Sequence, residues 1–272
     1  MHEEGQNIQS ERKYFDKMFN EAAIDVGRIK AILEYCSPAG KSGERLPRLK
    51  TTLLKILGDV TNARVLICGC GNDNAALWFA NKGAIVDVID ISSSAIRNQK
   101  LIAASLNLNI KAIVMDAHHL DFPSNEYDIV YGNAILHHLS LDKISKEIYR
   151  VLKPGGKAAF REVIKGNIFL QLFRRLTPFW RTPDEHPLVK EDIVLFENIF
   201  SKCQIETYML CGLLYSFFLR MANYFLKKLS PKIIIPEIKL FYSAFDKIDG
   251  ILFRFMPLLK DQAWLCLIML RK

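Results

Sequence analysis

A chain of 272 residues, half of them apolar and 24% charged, has the composition of a globular protein long enough to bury a full core. Its formal charge of +8 at pH 7 points to a solvated surface, a membrane surface or a nucleic acid. The polar stretch Met1 to Phe19 reads as neither a signal peptide nor an Arg-rich transit sequence, and no uncharged apolar run reaches the length of a bilayer span. Six scattered cysteines (Cys36, Cys68, Cys70, Cys203, Cys211 and Cys266) suit buried free thiols in a reducing compartment. The expectation is a cytoplasmic protein. Cys68 and Cys70 are one residue apart, which is no metal-ligand spacing, so no metal site is expected.

In chain order, Ser10 to Tyr35 reads as helical, with Tyr14, Phe15, Met18 and Phe19 clustered at helical spacing. Ser37 to Gly43 is a loop by composition; it lacks the preceding strand and spacing of a phosphate loop. Leu46, Leu49, Leu53, Leu54 and Leu57 mark an amphipathic helix ending near Gly58. Val65 to Cys68 is a first strand, followed by the turn Gly69-Cys70-Gly71-Asn72-Asp73-Asn74 and a helix to Lys82, with Gly83 as its C′ residue. Ala84 to Ile89 is a second strand, ending on Asp90. Ser92, Ser93 and Ser94 offer N-caps for a helix to about Ser105. Ile110 to Met115 is the third strand, ending on Asp116, and Tyr127 to Tyr131 is the fourth, followed by Asn133 and the pair His137-His138. A helix from Leu141 to Leu152 leads into the turn Lys153-Pro154-Gly155-Gly156 and a fifth strand, Lys157 to Val163.

After Val163 the rhythm changes. Gly166 to Lys190 is aromatic and basic, and its run Arg181 to Pro187 reads as a lid over the sheet edge. Glu191 to Cys203 is a helix, Gln204 to Leu210 the sixth strand and Ala263 to Arg271 the last. The expected fold is α/β: a doubly wound, mostly parallel, seven-stranded Rossmann-like sheet with a helical lid or insertion near the C-terminus. Three parts are expected: an N-terminal helical cap (1–60), a nucleotide-binding domain (61–210 with 261–272), and a lipophilic, basic helical insertion (211–260).

In such sheets ligands bind outside the carboxyl ends of the strands. Asp90, Asp116 and Asn133 all stand at those ends, beside a glycine turn that lets the backbone approach a ligand. Gly69, Gly71 and Asp90, about 20 residues on, also begin a dinucleotide fingerprint. Asn74 occupies the place of its third glycine, which argues against NAD.

The segment Val65 to Gly71 resembles the first motif of class I S-adenosylmethionine-dependent methyltransferases of the ubiquinone/menaquinone-methyltransferase-like kind. Val86 to Ser92, Met115-Asp116-Ala117, Tyr127 to Val130 and Arg150 to Gly156 resemble its later motifs, in order and at the expected spacing. The resemblance covers Val65 to Val163. It implies S-adenosylmethionine as cofactor, with Gly69, Cys70 and Gly71 under the methionine part and Asp90 on the ribose hydroxyls. It further implies Asp116 at the adenine amino group, with Ile91 and Ala117 as apolar walls. The family's first motif carries an acid where Ile67 stands and a third glycine where Asp73 stands. Asp73 or Asn74 is therefore expected to meet the cofactor's amino group.

Methyl transfer needs a base only when the acceptor loses a proton. His137 and His138 follow the fourth strand and are candidate bases; the alternative is that one caps the strand and the other packs. His118 and His119 read as structural, and His186 as a lid contribution to the acceptor site. Tyr14 and Phe15 either close over the cofactor or belong to the core. The insertion lies in a membrane interface, lines a lipophilic acceptor tunnel, or packs as a cap or dimer contact. Its basic residues are interleaved with apolar ones, which fits no nucleic-acid surface. The expected activity is methylation of a small, lipophilic acceptor at oxygen or carbon. The alternatives are a non-catalytic scaffold on a cofactor fold, or an RNA or protein methyltransferase.

Overall fold

Continuous Val, Ile and Leu runs without alternation are the mark of strands covered on both faces, and such strands form the middle of this sheet. The computed structural model describes residues 2–20, 38, 45–166, 171, 187–229 and 235–272. Strands β1 (Arg64–Cys68), β2 (Ile85–Asp90), β3 (Ile110–Val114), β4 (Tyr127–Asn133), β5 (Leu152–Val163), β6 (Lys202–Tyr208) and β7 (Leu265–Arg271) form one sheet in the order β3-β2-β1-β4-β5-β7-β6. The first five are mutually parallel; β7 inserts antiparallel to both β5 and β6. The doubly wound, mostly parallel seven-stranded sheet is therefore as expected. Its order reverses between β1 and β4, which opens a crevice at their carboxyl ends.

Both faces are covered. On one, Val65 and Ile67 of β1 pack with Leu49, Leu53 and Leu57 of α2 (Pro47–Leu57), with Phe79 of α3 (Ala75–Asn81) and with Ile96 of α4 (Ser93–Ser105). On the other, Leu66 and Cys68 pack with Ile144, Ile148 and Val151 of α5 (Leu141–Val151) and Phe196 of α6 (Lys190–Ile199). The period-2 alternation of the strand assigns each side chain to its layer.

Most boundaries shift by one to three residues. A larger difference is at β5, which begins at Leu152: Tyr127 pairs with Leu152 and Ile129 with Lys157, so the Lys153–Gly156 turn loops out inside the strand. Helix α1 spans His2–Asn20; residues 21–35 of the expected N-terminal helix, Cys36, most of the Ser37–Gly43 loop, and the Arg181-to-His186 part of the lid run lie outside the described residues.

Between β6 and β7 the insertion is a helix pair, α7 (Cys211–Leu229) and α8 (Lys239–Phe255). Leu213 and Tyr242 join the apolar cluster above β1 and β7. Two acids of α8 do the fastening. Asp249 accepts from the backbone N–H of Leu210 and of Cys211, both at 2.9 Å, and so caps the start of α7. Asp246 accepts from Arg48 N–H at 2.8 Å and so holds α8 to α2. Both carboxylates are fully buried. Replacing Asp249 by alanine orphans two buried donors, so Asp249→Ala is expected to lower stability by about 2–4 kcal/mol, read as a lower urea midpoint at unchanged slope. An unchanged midpoint would show that Asp249 is not what fastens the pair.

Candidate active site

A cavity of about 330 Å³ opens at the carboxyl ends of β1, β2 and β4. Its floor is the turn after β1. Gly69 has φ +69° and Gly71 φ +42°, in the left-handed region that only glycine enters freely. A Cβ on Gly69 would also lie 2.7 Å from Ile135 Cδ1, and one on Gly71 3.2 Å from Phe19 Cζ, so the turn is a cradle that side chains would fill.

Asp90 ties this turn to the end of β2. Its Oδ2 accepts from Gly71 N–H and its Oδ1 from Ser92 N–H, both at 2.8 Å. Burial pushes its carboxyl above the usual range, partly offset by those two amides. The thiol and N–H of Cys70 also contact it, so the carboxylate gathers donors from three residues around the turn. Asp116 sits across the cavity, with Oδ1 accepting from His118 N–H at 2.9 Å and from His118 Nδ1 at 2.8 Å. His118 Nε2 in turn accepts from Ser140 N–H at 2.9 Å, which assigns the ring proton to Nδ1. Burial opposes ionisation of Asp116, but the contacts from His118 win and hold its carboxyl below the usual range.

Asp73 and Asn133 meet directly. Asn133 Nδ2 donates to Asp73 Oδ2, Ala75 N–H donates to Asp73 Oδ1 at 3.2 Å, and Arg161 Nε donates to Asn133 Oδ1 at 2.6 Å. Burial pushes the Asp73 carboxyl up, against the pull of Asn133 and the Arg161 charge. Gly69, Cys70, Gly71, Asp73, Asp90, Ile91, Asp116, Ala117 and Asn133 thus line one cavity. Asn74 does not: it precedes α3 and its side chain makes no capping bond. Cys70 is buried, and its thiol is driven well above its ordinary value by burial and by Asp90, which disfavours the thiolate.

The two histidines divide. His137 is buried with Nδ1 2.7 Å from Glu162 Oε2, and it does not line the cavity. The Oε1 atom of Glu162 also accepts from the N–H groups of Ile135 and Leu136 at 2.8 Å each. His137 therefore belongs to the clamp that shapes the chain after β4. His138 lines the cavity, with Nδ1 3.4 Å from Glu11 Oε1 on α1. Both of those atoms are sealed from solvent and have no hydrogen-bond partner among the described residues. Phe15 presses on the His138 ring edge-on, with centroids 5.5 Å apart, and lines the cavity, whereas Tyr14 points to solvent.

Helix α1 is held there by Arg12 Nε, which donates to Ile91 O at 3.0 Å, and by Asp16. The Oδ1 atom of Asp16 accepts from Ser92 Oγ at 2.7 Å and Ser94 N–H at 3.0 Å. Glu11 and Glu162 help to build the site, and motif reading passes over both. Glu11 stands on the Phe15, Met18 and Phe19 stripe at helical spacing, and Glu162 is an acid inside an apolar strand; each was a visible signal.

A doubly wound sheet with antiparallel β7, and a glycine turn, a strand-end acid and a second acid around one crevice, define the class I S-adenosylmethionine-dependent methyltransferases. The chain carries a domain of that class: residues 66–160 match the model of the methyltransferase domain family. A sterol 4-C-methyltransferase from Caenorhabditis elegans is 32% identical over 130 residues, which are 47% of this chain and 39% of that protein. A ubiquinone/menaquinone biosynthesis C-methyltransferase from Rickettsia prowazekii is 36% identical over 115 residues, 38% of this chain and 46% of that protein. The chain therefore spans less than half the length of these relatives. A phosphoethanolamine N-methyltransferase from Haemonchus contortus, solved with S-adenosyl-L-methionine, has the same fold at a TM-score of 0.56, with 18% identity across 95% of this chain and 60% of its own.

The donor set suits the cofactor of that class: a glycine cradle, an acid at the end of β2, and apolar walls at Ile91, Met115 and Ala117. The clamp that shapes the site can be tested by itself. Glu162→Ala leaves three buried donors without an acceptor and is expected to cost about 3–5 kcal/mol of stability. Glu162→Gln, which keeps one acceptor oxygen, is expected to cost clearly less in the same urea titration. Equal losses would contradict the clamp.

Proposed function

We propose that this protein transfers a methyl group from S-adenosylmethionine to a small, lipophilic acceptor, at oxygen or carbon. The observation that carries the reading is one cavity holding the Gly69–Gly71 cradle and Asp90 together with the unsatisfied pair Glu11 and His138. When bound, the cofactor supplies an electrophilic methyl group on sulfur. Asp90 accepts from the ribose hydroxyls, and Ile91, Met115 and Ala117 flank the adenine. The Asp116 carboxylate is committed to His118 and contributes to the adenine edge with what acceptor capacity remains. Ile67 is buried in the core, so the family's usual acid has no counterpart there. Asp73, braced by Asn133, takes its place toward the cofactor's amino group.

On the acceptor side, His138 is the candidate base. A hydroxyl or enol that loses its proton to the ring leaves an imidazolium, which Glu11 stabilises as the opposite charge beside it. Phe15 and Phe19 keep water from that end of the cavity. The names of the sterol and quinone-pathway relatives support a lipophilic acceptor and carbon methylation. The described cysteines are all free thiols, which supports a reducing, cytoplasmic setting.

Calorimetry with S-adenosylmethionine and its demethylated product tests cofactor binding. Asp73→Asn is expected to weaken affinity about tenfold. Because Asp90 is raised, wild-type affinity is expected to fall as pH drops through a value above the ordinary aspartate range: protonation removes the acceptor for the ribose hydroxyls. Binding that is flat with pH through that range would remove Asp90 from the site.

The chemistry is read by transfer of labelled methyl to cell fractions separated into lipid, RNA and protein. Label in the lipid fraction is expected. Label confined to RNA or protein rejects the lipophilic acceptor, and no cofactor binding favours the scaffold reading. Once a labelled acceptor is isolated, His138→Asn and Glu11→Gln are expected to lower kcat by about 10²-fold while leaving cofactor affinity unchanged.

A further inference from the structure

Helix α8 carries apolar side chains on both faces: Tyr242 and Phe253 are buried against the domain, and a second apolar stripe faces outward. Its acids, Asp246 and Asp249, are 1% and 0% exposed and bind backbone N–H groups of neighbouring elements. Its outer stripe carries Leu240 (74% exposed), Ile248, Ile251 and Phe255 (76%), and the following turn adds Leu258 (84%). These recur at i, i+3 and i+4, so they share one face. The charged side chains on that face are Lys247 and Arg254, both exposed cations.

The neighbouring helix continues the pattern. Helix α7 contains no acid at all, exposes Phe218 and Phe225 two turns apart on one face, and exposes Arg220. The acid of the connecting stretch, Glu237, is paired with Arg45 and accepts from the Tyr242 hydroxyl. Asp261, in the turn after α8, is half-buried. The outer surface of the helix pair is thus aromatic, aliphatic and cationic, with its own acids turned inward.

We propose that this face docks on an anionic lipid surface, with α8 lying in the plane of the interface. Large apolar side chains enter the acyl boundary, and Lys247, Arg254 and Arg220 meet the headgroups. Among the described residues no helix is long and apolar enough to cross a membrane, so the chain lies on the bilayer through this face. Charge decides between a membrane and a second copy of the chain. A twofold dimer through this patch sets the patch against itself, and brings Lys247 and Arg254 against the same cations with no exposed acid of α8 to receive them. An anionic headgroup layer supplies the missing charge. The inward position of Asp246 and Asp249 has the same logic, since either acid on the outer stripe would be repelled by that layer.

The test is flotation of the full chain with vesicles of phosphatidylcholine alone and of an equal mixture of phosphatidylcholine and phosphatidylglycerol. No cofactor or acceptor is present, so the result is independent of methyl transfer. Binding to the mixed vesicles is expected, at least about tenfold tighter than to phosphatidylcholine and weakened by salt. Lys247→Glu and Arg254→Glu are each expected to reduce it by about fivefold or more. Phe255→Glu with Leu258→Glu is expected to abolish it, with an unchanged thermal melt showing that the fold is intact. Wild-type protein that stays unbound to the mixed vesicles overturns the proposal. So does light scattering that reports a dimer which Phe255→Glu converts to a monomer.

Discussion

The active-site architecture depends on one carboxylate. Asp90 receives the N–H of Gly71 from the first βα turn and the N–H of Ser92 from the second. Those turns follow neighbouring parallel strands; the ladder reaches the first of them only at Gly69 N–H, which donates to Ile89 O at 2.9 Å, and Asp90 ties the turns together beyond that point. The bond also explains the glycines. With Gly71 at φ +42° its amide is presented to Asp90, a conformation that side-chain-bearing residues resist. Burial raises the carboxyl, so this acid is held at some cost to itself and is poised to gain from further donors.

A second buried acid shapes the opposite wall. Glu162 on β5 gathers the N–H groups of Ile135 and Leu136 and the ring of His137. It thereby forces the chain after β4 into the short turn that aims His138 at the cavity. The neighbouring residue, Arg161, points the other way along the pleat and reaches Asn133, which braces Asp73. Consecutive residues of one strand thus serve the two halves of the site, as strand alternation requires. Positioning here is done by acids that contact backbone amides, which are rigid donors.

How much of this was legible depends on the range of the interaction. The strand ends carrying Asp90, Asp116 and Asn133 were readable because hydrophobic runs and turn residues are local signals, and the parallel topology then brings those ends together. The split between His137 and His138 was not readable. Adjacent residues in a short 3-10 turn face differently only because Glu162, 25 residues on, claims one of them. Glu11 was harder still, because its place depends on α1 docking against Ser92 and Ser94 through Asp16. Asn74 stands outside the cavity lining for a local reason: the turn ends one residue earlier, at Asp73, and Asn74 already belongs to the start of α3.

The insertion shows why composition alone left three readings open. Apolar and basic residues in α7 and α8 are compatible with a core, a tunnel or an interface, and only the placement of the acids separates them. A helix packed as an ordinary cap would bury only apolar residues such as Tyr242 and Phe253 and put Asp246 and Asp249 in water. Here the carboxylates are drawn in by backbone donors at the start of α7 and at Arg48, which rotates the aromatic and aliphatic stripe outward. The bonds that fasten the insertion to the sheet and the face it offers to its surroundings are therefore two consequences of one helical phase. Moving the acids by one position along the sequence would turn that helix by about 100°, detach it from α2 and α7, and withdraw the stripe from the surface.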